Sequence, residues 1–70
     1  VNIDTLFAMA VDNAMRAAHA AHPTAQEIHT SLEAGGSVSI NVKHADGYVM
    51  FAEIYVVEDT VAVELAKLEG

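Results

Sequence analysis

Any chemistry in this chain must come from histidines, serines and carboxylates, because its 70 residues include no cysteine. His19 and His22 lie three apart near the end of a helical segment, and His29 follows shortly after. Imidazoles on adjacent elements can converge on a zinc ion, which accepts neutral histidine nitrogens in a tetrahedral shell. A histidine metal-binding protein is therefore one reading. Two features weigh against it: Pro23 forces His22 out of helical geometry, and no H-E-x-x-H spacing is present. Protonated His19 and His22 would also simply complement a helix C-terminal dipole. The sequence implies neither a metal nor another cofactor.

Nucleophilic and acid–base catalysis have less support. Ser31, Ser37 and Ser39 sit in no G-x-S-x-G context. Gly35-Gly36 precedes a strand and lacks a following lysine, the reverse of a phosphate loop. Adjacent Glu58 and Asp59 suit a turn better than a paired-carboxylate cleft. A chain this short has little room for a substrate cavity, so the expectation is a non-enzymatic protein.

Charge narrows the partners. Ten acidic residues face only Arg16, Lys43 and Lys67, for a net charge of −7. Such a chain repels phosphate, which argues against direct binding of nucleic acid or an anionic membrane. No apolar run approaches the roughly 18 residues of a membrane span, and the N-terminus lacks the design of a signal peptide. The expected location is cytoplasmic. Acidity also raises the reading of a decoy that imitates nucleic-acid phosphates and blocks a basic groove. Alternate strand positions, about 6.6 Å apart, would suit that role, but the acids are scattered along the sequence and qualify only if folding gathers them.

These residues must be positioned by one small domain, residues 1–70, near the lower limit for burying a core. Without disulfides, added stability would come from oligomerisation or a partner. Residues 2–21 have helical periodicity: Ile3, Leu6, Phe7, Ala10, Val11, Ala14, Ala17, Ala18 and Ala21 share one arc. Thr24 and Glu27 form a T-x-x-E capping box that predicts a second helix over 24–34, stopped by Gly35-Gly36. From Ser37 the period becomes two, predicting a strand over 37–43, a turn at His44 to Gly47, and a second strand over 48–57. The last segment fits either a helix packing Val61, Leu65 and Leu68 or a third strand, which its β-branched valines favour. The fold class is α+β, with two N-terminal helices packed on an antiparallel meander of two or three strands.

The stretch GYVMFAEIYVV is apolar on both sides of an ideal strand. Tyr48, Met50, Ala52, Ile54 and Val56 alternate with Val49, Phe51, Glu53, Tyr55 and Val57. If the helices cover the first set, the second is a patch of the kind that marks an interaction site. The leading expectation is a small acidic protein-binding module acting as regulator, inhibitor or adaptor. Val49, Phe51, Tyr55 and Val57 would anchor the partner, and Glu53, Glu58 and Asp59 would engage its basic residues. The expected partner is a second copy of the chain, giving a homodimer.

Overall fold

The computed structural model describes residues 2–66. It contains one helix, α1 (Ile3–Ala21), and four strands, β1 (Glu27–Leu32), β2 (Val38–His44), β3 (Gly47–Val57) and β4 (Thr60–Leu65). The strands form an antiparallel meander in the order β1-β2-β3-β4, and α1 lies across one face.

α1 begins where the Asn2 carboxamide oxygen accepts the Thr5 N–H at 2.8 Å, as an N-cap should. It ends at His22, whose N–H donates to the Ala18 carbonyl at 2.9 Å, and Pro23 prevents another turn. Asp12 and Arg16 pair at 3.0 Å one turn apart on the solvent side. The buried helix residues are Ala14 and Ala18, small enough to let the backbone approach Ile40, Val42, Ala52 and Ile54 of the sheet. Phe7, Ala10, Val11 and Met15 close the margins of that core. Burying each of Ile40, Val42 and Ile54 contributes about 1.5–3 kcal/mol, so a few side chains hold most of this small core.

The structure corrects the expected second helix: residues 27–32 form β1 instead. The helical signals were real but outweighed. Thr30, His29 and Ser31 are poor helix formers, and a helix of that length is marginal on its own. As a strand, the segment sets Ile28, Thr30 and Leu32 opposite Val42, Ile40 and Val38, and covers the edge of β2. Glu27, the supposed capping residue, pairs in register with Lys43. Gly35 and Gly36, both at φ +89°, turn a hairpin rather than stop a helix.

The sheet accordingly has four strands, not two or three. β4 takes the strand alternative for the last segment; Leu68, which the helical alternative would have packed, lies outside the described residues. Among the described residues, no helix is long and apolar enough to cross a membrane.

Candidate interaction surface

The expected patch on β3 assumed unbroken alternation, and the structure breaks it. Ile40 pairs with Ala52, but the next residue, Asn41, pairs with Met50, leaving Phe51 as an extra residue in a β-bulge. Residues on either side of the bulge therefore follow opposite phase. Val49 stands opposite buried Val42 and so belongs to the helix-covered face, although it remains 48% exposed. Phe51 is half-buried and packs against the core, with its ring meeting His22 edge-on at 5.8 Å. Beyond the bulge, Glu53, Tyr55 and Val57 belong to the open face, in line with Ser39 and Thr60 of the neighbouring strands. The seven expected site residues are thus divided: Val49 and Phe51 with the helix, Glu53, Tyr55 and Val57 opposite it, and Glu58 and Asp59 at the hairpin tip.

That tip is a two-residue turn with Glu58 at φ +49° and Asp59 at φ +61°, the left-handed pair that matches the twist of a β-hairpin. The Thr60 hydroxyl donates to the Val57 carbonyl at 2.6 Å and closes it. Both acids are exposed.

The open face carries a polar network. Ser39, only 2% exposed, donates to Glu33 at 2.8 Å and accepts from the Asn41 amide at 3.1 Å. Asn41 also donates to Ser31 at 3.3 Å, and Ser37 donates to Glu53 at 3.3 Å. Glu64 stands opposite Glu53 and accepts from the Tyr55 hydroxyl at 3.5 Å. Sequence reasoning missed this network because it placed Ser31 and Glu33 on a helix; the alternation of Ile28, Thr30 and Leu32 with His29 and Ser31 was the available signal.

The histidines do not converge as the metal reading required. His44 Nε2 lies 3.4 Å from His22 Nδ1, joining the helix end to the end of β2. His29 instead packs beside Tyr48, ring centroids 5.3 Å apart, and His19 is exposed on α1. Among the described residues, no group of three or more His, Asp or Glu side chains is placed to hold a metal ion.

α1 leaves part of the sheet uncovered, and the exposed apolar residues concentrate on the β3–β4 hairpin. Of the ten large apolar side chains that stand exposed, seven belong to β3 or β4, Val63 (50%) and Leu65 (62%) among them. Val63 pairs with Ile54 and Leu65 with Ala52, both core positions, so they extend the helix-side apolar surface out to the sheet edge. Leu65 and Ala21 also line a cavity of about 300 Å³ with His22, Val49 and Phe51. The alternation of Val61, Val63 and Leu65 was visible in the sequence; what hid its exposure was not knowing that β4 forms an edge. No family model, curated protein or solved structure matches the chain.

Proposed function

We propose that this chain is a small, acidic, non-enzymatic protein-binding module that acts by occupying a partner's surface, as a regulator, inhibitor or adaptor. The observation that carries the reading is the concentration of exposed apolar side chains on the β3–β4 hairpin, ending in the acidic Glu58-Asp59 tip. Exposed apolar patches of this kind mark interaction surfaces, and the tip would pair with basic groups at the rim. The helix-side surface of the hairpin, rather than the open face of β3, is the contact: Val49 and Val56 join Val63 and Leu65, while Phe51 supports them from within.

The test is photo-crosslinking in the source cell from a benzophenone residue placed at Val56 or Leu65, with Asp12 as control. The reading predicts one discrete adduct from the hairpin positions and none from position 12. Identical background from all three positions would refute it.

A second reading, the phosphate-imitating decoy, gains from one observation. Folding brings Glu33, Glu53 and Glu64 onto the same open face, with Glu53 and Glu64 directly opposed. Such a decoy would lose its partner steeply with added salt and compete with DNA or RNA for one site. Binding indifferent to salt would exclude it.

A further inference from the structure

β4 ends the sheet, and among the described residues no strand lies along its outer side. We propose that a second copy of the chain does so, through antiparallel pairing of β4 with its own symmetry mate about a twofold axis at Val63. The inference rests on the hairpin as the binding surface and names its occupant.

Backbone direction supplies the first argument. In a two-residue hairpin the closing pair, Val57 and Thr60, is hydrogen-bonded, and bonded pairs then alternate. The Ala66 N–H donating to the Phe51 carbonyl at 2.9 Å continues that alternation through even-numbered β4 residues. The N–H and C=O groups of Val61, Val63 and Leu65 therefore point outward, where only water or another strand can satisfy them.

Register supplies the second. Residues directly opposite across a pair share a face, so a twofold at Val63 sets Val63 against Val63 and Val61 against Leu65 on the helix side. All these outward groups then bond, and each exposed valine and leucine meets another. On the open face each Glu64 meets Ala62, not a second acid. Charge supplies the third argument: two copies of a chain at −7 repel, and in this register no acid of β4 stands directly opposite an acid, the two Glu64 being diagonal neighbours. β1 is the other edge, and the equivalent pairing about Thr30 would set Glu27 against Glu33 at both ends. β4 avoids that opposition.

The experiment combines sedimentation with cross-linking. The native chain should sediment as a dimer. Val63→Pro removes an outward N–H without touching the bonds to β3, so it should keep its circular dichroism while dimerising about thirtyfold more weakly, one hydrogen bond being lost from each copy. Val63→Lys, which opposes two cations at the axis, should be monomeric and decides the matter if the proline variant does not fold. Because the chain lacks cysteine, Val63→Cys should be bridged rapidly by a short bis-maleimide, its mate being about 5.5 Å away. Val61→Cys, about 14 Å from its mate, should not. A native chain that stays monomeric at its highest soluble concentration would overturn the inference, while a hairpin adduct to another protein would leave the proposed function standing. A dimer untouched by Val63→Lys, or one bridged equally from position 61, would also overturn it.

Discussion

Asn41 of β2 pairs with Met50 of β3, although its neighbour Ile40 pairs with Ala52. The skipped residue, Phe51, is held by the core on one side and by the His22 ring on the other. The bulge lets one strand contribute Val49 and Ile54 to the same face despite their odd spacing. Phe51→Ala should cost about 2 kcal/mol, below the fully buried range because the ring is only half-buried. Urea denaturation measures this, and a loss under 0.5 kcal/mol would mean that the bulge does not depend on the ring.

Glu53 and Glu64 oppose one another across β3 and β4 with no cation between them among the described contacts. Like charges so placed destabilise a sheet by a few tenths of a kcal/mol. Glu64→Gln should raise the melting temperature slightly at low salt, and the gain should shrink as salt screens the pair. A lower melting temperature would instead show that the Tyr55 hydrogen bond outweighs the repulsion.

The Glu58-Asp59 turn places two non-glycine residues at positive φ, a conformation costing roughly 1 kcal/mol each. Replacing them by Asn-Gly, the preferred pair for this turn, should stabilise the chain by about 1 kcal/mol. The same change removes two acids, so a partner that engages the tip through basic groups should bind more weakly to the more stable protein. Thermal melting with binding measured in parallel separates the two effects.

Ser39 is buried while bonded to Glu33 and Asn41. Ser39→Ala should cost about 1 kcal/mol, the net value of a hydrogen bond, because exposed Glu33 recovers water and Asn41 keeps Ser31. A loss above 3 kcal/mol would indicate that the network holds β1 to β2.

The sequence displayed these elements unevenly. α1 was legible from its periodic alanines, the Asn2 cap and Pro23. β2, β3 and the hairpin tip were legible from Val38, Ile40 and Val42, the long apolar run, and Glu58-Asp59. β1 was not, because Thr24, Glu27 and the glycine pair carry helix-boundary signals, and only pairing with β2 decides between the periods. The bulge left no trace either: an extra residue in a strand has no composition of its own, so Val49 and Phe51 were grouped with Glu53, Tyr55 and Val57. The edge position of β4, which exposes Val63 and Leu65, is a property of topology and invisible until the strand order is known.

The most direct measurement is amide hydrogen exchange of the native chain across a dilution series. The outward amides of Val61, Val63 and Leu65 should be protected at high concentration and lose that protection on dilution. Those of Ile28, Thr30 and Leu32 on the opposite edge should exchange quickly throughout. Equal and concentration-independent exchange at both edges would contradict pairing through β4.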